Sequence, residues 1–222
     1  IILLVITSVE KLILGLESFY DVLTSLEKMG QIVDKDIEMQ DGDQPDFKDN
    51  FSLELDKVSY SVPQREQNIL ESISLKIKPK SRILVRGESG SGKSSLLRLI
   101  AGVIEPTIGS VYIDDYSLKN INLNHYRSHL GLSLADETPF EGSIRDNITF
   151  GNKDISEQQL LWAIDKVGLS LFIKESPQGL NTVLYPEGKQ ISFTVAKRIV
   201  LARAIVSKPK ILILEDPLEH FE

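Results

Sequence analysis

Apolar residues at Val9, Leu12, Leu16, Phe19, Leu23, Leu26 and Met29 recur in steps of three and four. That spacing draws one stripe along a helix, so an amphipathic helix is expected, with Gly30 as its stop. The stretch Gln40-Asp41-Gly42-Asp43-Gln44-Pro45-Asp46 is polar and acidic and carries Gly and Pro, which reads as a linker. Beyond it the period falls to two. Phe51, Leu53 and Leu55 alternate, as do Ile73, Leu75 and Ile77, and two strands are predicted. Ile83-Leu84-Val85, Val111-Tyr112-Ile113 and Leu130 to Leu134 are further strands, and Ser94 to Ala101 carries a helical pattern. Ser156-Glu157-Gln158-Gln159 is a capping-box pattern opening a helix through about Val167, with Gly168 behind it and Trp162 packed within it. Ile191 to Ser207 reads as a long helix with Val195, Ile199, Ala202 and Ile205 on one face. Lys208-Pro209-Lys210 breaks it, and Ile211-Leu212-Ile213-Leu214 is the kind of all-apolar run found in fully buried parallel strands. Three segments result: 1–40, a linker at 41–50, and an α/β domain over 51–222.

At 222 residues the chain has room for one large domain or two small ones, and 41% hydrophobic residues suffice for a packed core. The absence of cysteine excludes disulfides and thiolate metal sites. His125 and His129 have helical i, i+4 spacing but no acidic third ligand close by, and are expected on a solvated helix face. A net charge of −7 argues against a general nucleic-acid surface, so no nucleic-acid partner is expected. The apolar opening, Ile1 to Ile6, lacks a charged leader region and meets Glu10 too early to span a bilayer, which takes about 20 residues. The simplest expectation is a fragment that begins inside a longer hydrophobic segment; a short buried helix end is the alternative.

Composition does not reveal the chemistry; one loop does. Gly87-Glu88-Ser89-Gly90-Ser91-Gly92-Lys93-Ser94, with Ser95 beside it, fills every defined position of a phosphate-binding loop between an apolar run and a helical pattern. The glycines let backbone N–H groups turn inward around phosphate oxygens, where a Cβ would obstruct. Lys93 is expected to reach the β- and γ-phosphates and the Ser94 hydroxyl to ligate Mg²⁺, with the positive end of the helix at the same place. Glu215 and Asp216 stand at the carboxyl end of the Ile211–Leu214 run, where ligands bind in open α/β sheets. Together these are the Walker A and Walker B elements, with room between them for an inserted helical subdomain.

The chain resembles the nucleotide-binding domain of ATP-binding cassette (ABC) transporters of the exporter class. The resemblance covers roughly residues 50–222. Beyond the P-loop it rests on Val58-Ser59-Tyr60-Ser61-Val62-Pro63, Gly109 to Asp114, Gly142-Ser143-Ile144-Arg145-Asp146-Asn147-Ile148, and Leu201-Ala202-Arg203-Ala204. Residues 1–30 resemble the last membrane helix of such a transporter and its cytosolic extension. The family's fold is a P-loop NTPase core, a mixed sheet with flanking helices, plus a helical subdomain. The resemblance implies binding of ATP and Mg²⁺, a transmembrane domain in the same chain, and a second nucleotide-binding domain as partner, identical or not. It also implies a membrane location with this domain on the cytoplasmic side, and ATP-driven substrate efflux.

Departures from the family cluster around catalysis. The adenine-stacking aromatic is replaced by Val62, with Tyr60 two residues earlier on the same strand face as a substitute. The glutamine that senses Mg²⁺ falls at Ala135. The signature Leu-Ser-Gly-Gly-Gln reads Ile191-Ser192-Phe193-Thr194-Val195, so Ser192 is kept while two glycines are lost. The Walker B order is inverted: Glu215 takes the metal-side position and Asp216 that of the water-orienting base. The phosphate-holding part is intact and the hydrolysing part is altered, so binding with weakened turnover is expected. Two alternatives stand beside the exporter: a non-hydrolysing ATP sensor or scaffold on a membrane anchor, and a soluble P-loop enzyme such as a kinase. The exporter-like segments count against the last.

Overall fold

A computed structural model of the chain describes residues 2–34, 38, 41–47, 51–62 and 67–216. Ile1, Gln40 and Pro63, all singled out above, lie outside them. The chain divides into two units, Ile1–Met39 and Gln40–Glu222.

In the first unit, α1 spans Ile2–Val33. It runs through Gly30, which does not stop it: the Asp34 N–H still donates to the Gly30 carbonyl at 2.8 Å. A glycine inside a helix costs only about 1 kcal/mol against alanine, which the remaining ladder offsets. The stripe residues Leu12, Leu16, Phe19, Leu23, Leu26 and Met29 are all exposed. Among the described residues no helix is long and apolar enough to cross a membrane.

The second unit opens on the expected linker, which is partly docked. Asp43 donates its N–H to the Asn120 carbonyl and accepts from the Asn122 N–H, both at 2.8 Å. Phe47 is buried and stacks on the His125 ring at 5.5 Å, with His129 edge-on at 5.2 Å. The two histidines are therefore half-buried against an aromatic ring, which corrects the expected solvated face. His125 Nε2 pairs with the Pro45 carbonyl and His129 Nδ1 with the His125 carbonyl, each at 2.9 Å, and no cluster able to hold a metal occurs among the described residues.

Alternating apolar positions build an antiparallel sheet in the order β2-β1-β3-β4, from β1 (Leu53–Tyr60), β2 (Leu70–Ile77), β3 (Ile108–Ile113) and β4 (Tyr116–Ser117). Leu53, Leu55 and Val58 of β1 and Val111 and Ile113 of β3 point into one core with the buried face of α2 (Lys93–Ile100), namely Leu96, Leu99 and Ile100. Each such side chain contributes about 1.5–3 kcal/mol by leaving water, and together they fix the axis of the helix that follows the P-loop. The carbonyls left unpaired at the end of α2 find donors in the next helix, α3 (Leu123–Arg127). Buried Tyr126 donates its hydroxyl to the Ile100 carbonyl at 2.7 Å, and Arg127 donates to Gly102. Burial pushes the Tyr126 hydroxyl pKa well above its ordinary value.

A parallel pair, β5 (Leu130–Ser133) with β8 (Ile211–Leu214), lies beside this core in the register Leu130↔Ile211 to Ser133↔Leu214. β8 is parallel as expected but not fully buried: Ile213 is in the core while Leu212 is 46% exposed. Ile83-Leu84-Val85 is also corrected, since it is not a strand. It lines, together with β8, a cleft of about 380 Å³, with Leu84 72% exposed. An apolar run satisfies the pattern of a strand, but without a ladder neighbour it does not become one.

Between β5 and β8 lies the helical part. It comprises β6 (Gly142–Ser143), α4 (Ile144–Thr149), α5 (Glu157–Lys166), α6 (Ser170–Glu175), β7 (Val183–Leu184) and α7 (Phe193–Ile205). Ser156 and Gln159 form the expected capping box, and Ser143 with Asp146 forms a second. A separate core of Ile144, Ile148, Leu160, Ile164, Leu169 and Ile199 holds this part together, with Trp162 packed against it.

Candidate functional site

The P-loop is a tight turn whose shape requires its glycines at particular places. Gly92 caps α2 at φ +88°, and a Cβ there would stand 2.9 Å from the Ile69 carbonyl oxygen and 2.8 Å from Leu70 Cδ2. Gly90 is also left-handed, at φ +81°, but open on its outer side. A Cβ on Gly87 would meet Ser91 Oγ at 2.6 Å. Glu88 accepts from the Ser91 N–H at 3.2 Å, closing the turn around Ser89 and Gly90. Lys93 Nζ folds back over the loop and donates to the Gly87 and Glu88 carbonyls, each at 2.8 Å. Ser94 and Ser95 are half-buried in the first turn of α2.

Glu215 is brought to the same place from β8. Its Oε1 accepts directly from the Ser94 hydroxyl, and its Oε2 accepts from the Ala135 N–H at 3.2 Å. Asp216 follows it, exposed and at φ +42°. β1, which ends at Tyr60 with Val62 two residues beyond it, reaches the loop through β2: Tyr60 pairs with Leu70, and Leu70 is the residue that a Cβ on Gly92 would strike. Both Tyr60 and Val62 are half-buried.

The family model described as ABC transporter matches residues 70–219. The chain belongs to the ABC transporter family. It is 34% identical over 184 residues to an ABC multidrug transporter MDR2 of Trichophyton interdigitale (strain MR816), covering 82% of this chain and 14% of that protein. It is 37% identical over 165 residues to ABC transporter B family member 21 of Arabidopsis thaliana, covering 74% and 13%. A solved structure of a bacterial Atm1-family ABC exporter with ATP bound superposes with a TM-score of 0.81 at 25% identity, over 90% of this chain and 35% of that one. The chain thus spans about one seventh of the length of these curated relatives. What it matches is the nucleotide-binding domain of an ABC exporter, a P-loop α/β fold that binds ATP in a family generally made of ATPases.

The segment expected to serve as the signature, Ile191 to Val195, lies at the start of α7. Ser192 is the N-cap and accepts from the Val195 N–H at 3.3 Å. Phe193, where the family has glycine, is 53% exposed. Ser192 is not brought into contact with the P-loop; the cluster consists of the loop, Ser94, Glu215 and Ala135.

Sequence reasoning missed the residues that hold the 135–137 segment. Lys197 Nζ donates to the Ala135 carbonyl and, at 3.2 Å, to the Glu137 carbonyl, while sitting 5.4 Å from the centre of the Phe193 ring. Arg98 of α2 pairs with Asp136 at 2.9 Å. Fully buried Asn147 accepts from the Phe140 N–H and donates to its carbonyl, both at 2.9 Å, and the Asn147 carbonyl accepts from Arg203 Nε at 2.8 Å. Arg203 also lies against the Phe150 ring at 4.5 Å and 3.7 Å from the Glu137 carboxylate. Burial raises the Glu137 pKa and lowers that of Arg203, each partly offset by the other's charge. The available signal was a cation one turn after Phe193 on the same helix.

Proposed function

We propose that this chain is the ATP-binding domain of a membrane exporter, poised on the cytoplasmic side, in which ATP binding is intact and hydrolysis is weak. The observation that carries it is the convergence of the P-loop, the Ser94 hydroxyl and the Glu215 carboxylate at the head of α2. Loop N–H groups and the helix end receive phosphate oxygens. Lys93, which now donates to two loop carbonyls, exchanges them for β/γ-phosphate oxygens, a charge-assisted contact. A hydroxyl and a carboxylate are hard oxygen donors that suit Mg²⁺, which is bound through one or two protein groups plus phosphate. Ser94 and Glu215 would hold it, and it supplies neutralisation of developing phosphate charge when bound. Tyr60 and Val62 flank the base side of the site. Ser192 faces the nucleotide of a second domain, identical or not, in a face-to-face dimer. The transmembrane part of the same chain is the coupled partner, with 1–40 as its end and 41–50 as the linker.

Turnover is weak because Asp216 is one methylene shorter than the glutamate it replaces, Phe193 crowds the signature, and Ala135 has no side chain to reach the cation. An offset of about 1 Å can cost around a hundredfold in rate. A non-hydrolysing regulatory subunit is the second reading, favoured by the exposed, left-handed Asp216. Steady-state ATPase measurements on the full-length protein, alone and with a partner domain, separate the two. Rates at ordinary transporter levels in the unmodified protein contradict both.

A further inference from the structure

We propose that Lys197 is a positioning residue for Glu215, acting across Ala135, and so ties the signature helix to the cation side of the site. This rests on the reading of the site as one for ATP and Mg²⁺. Ala135 has only a methyl group, so its backbone is all it offers the site. That backbone is used on both sides. Its N–H donates to Glu215 Oε2 at 3.2 Å, and its carbonyl accepts from Lys197 Nζ.

The same ammonium donates to the Glu137 carbonyl at 3.2 Å, so one cation clamps both ends of a three-residue turn. Fixing the Ala135 carbonyl fixes the backbone dihedrals of that residue, which aim its N–H. The other oxygen of Glu215 is held by Ser94 from α2. A continuous chain of contacts therefore runs from α7 through Lys197, Ala135 and Glu215 to Ser94. Lys197 also stands 5.4 Å from the centre of the exposed Phe193 ring one turn earlier, which joins the tip of the signature helix to this chain. Where the family reaches the cation with a glutamine side chain, this protein uses a lysine and a backbone.

Glu215 held by two donors presents its carboxylate in one orientation. Released on the Oε2 side it samples several, and the population suited to the cation falls. The effect belongs to cation binding and not to nucleotide binding, because the Lys197 ammonium is engaged by the Ala135 and Glu137 carbonyls and the Phe193 ring, none of them in the P-loop.

The test uses the full-length protein with a non-hydrolysable ATP analogue, and Mn²⁺ as the probe. Mn²⁺ affinity is read by electron paramagnetic resonance, and analogue affinity is read separately in the presence of EDTA. K197M is expected to weaken Mn²⁺ binding about tenfold, the lower end of the cost of losing an orienting partner behind a metal ligand. K197R, which can still donate to both carbonyls, should remain within about twofold of wild type on the same scale. Analogue affinity in EDTA should be the same in all three proteins. Mn²⁺ binding by K197M equal to wild type overturns the proposal. So does a loss of equal size in EDTA, which marks general loosening. If K197M fails to fold, K197Q carries the same comparison. A K93A protein that binds the analogue as well as wild type overturns the ATP reading, and Lys197 with it. Loss of binding in K93A together with an unaffected K197M overturns the Lys197 proposal alone.

Discussion

The P-loop geometry makes a graded prediction from two glycines that look alike in sequence. Gly90→Ala and Gly92→Ala each place a methyl group at a left-handed position, φ +81° and φ +88°. That alone costs about 1–2 kcal/mol for an L-residue. At Gly90 the new Cβ meets nothing within 4 Å. At Gly92 it stands 2.8 Å from Leu70 Cδ2, about 0.7 Å inside the ~3.5 Å lower edge of favourable carbon contact. It is also 2.9 Å from the Ile69 carbonyl oxygen. Leu70 is a buried residue of β2 paired to Tyr60, so it cannot withdraw without disturbing the sheet edge. Overpacking of this kind adds about 1–3 kcal/mol, for a total of roughly 2–5 against 1–2 at Gly90. At about 1.4 kcal/mol per decade, G92A should weaken ATP binding by roughly thirtyfold to several thousandfold, and G90A by about thirtyfold at most. Titration calorimetry with ATP and Mg²⁺ measures both, with thermal unfolding as the control for global loss of fold. Equal affinities for G90A and G92A would refute the reasoning, because only the packing against Ile69 and Leu70 separates them.

Restoring the family's residues, Glu215→Asp with Asp216→Glu, Phe193→Gly, Thr194→Gly and Ala135→Gln, should raise steady-state ATPase activity while leaving ATP affinity nearly unchanged; no gain in rate would count against the assigned cause of weak turnover. Asp216→Glu alone should lower stability slightly, since φ +42° suits Asp better than Glu; chemical unfolding checks it. Tyr126→Phe should cost about 1 kcal/mol in urea unfolding, by leaving the Ile100 carbonyl without its donor, and an unchanged midpoint would contradict that bond. Burial raises the Glu137 pKa, so the folded state binds that proton more tightly than the unfolded one. Its contribution to stability is full below the ordinary glutamate pKa and is lost as pH rises through the raised value; Glu137→Gln should flatten that part of the pH–stability curve, measured by urea titration at several pH values.

Local chemistry was legible and partnership was not. The Ser156/Gln159 box, the stop behind Val167 and the P-loop followed by α2 are written in consecutive residues, and each formed as expected. The convergence of Ser94 with Glu215 followed from two motifs, because a strand end and a helix start are where such folds put ligands. Ile83-Leu84-Val85 misled because strand pattern and strand pairing are different things. The first is local, while the second depends on a neighbour distant in sequence. His125 and His129 misled for the same reason: the ring that covers them is Phe47, far away in the chain. Lys197 was invisible because its partners are backbone carbonyls, which carry no signature in the amino-acid code.

The central claim is that this domain binds ATP through Lys93 and its loop. Lys93→Ala removes the cation facing the β- and γ-phosphates, a loss of about 2–5 kcal/mol by comparison with other truncated charge pairs. Calorimetric titration of ATP with Mg²⁺ into wild-type and K93A protein measures it directly. Saturable binding by the wild type with none detectable in the variant is the predicted result; equal affinity in both would contradict the account at its base.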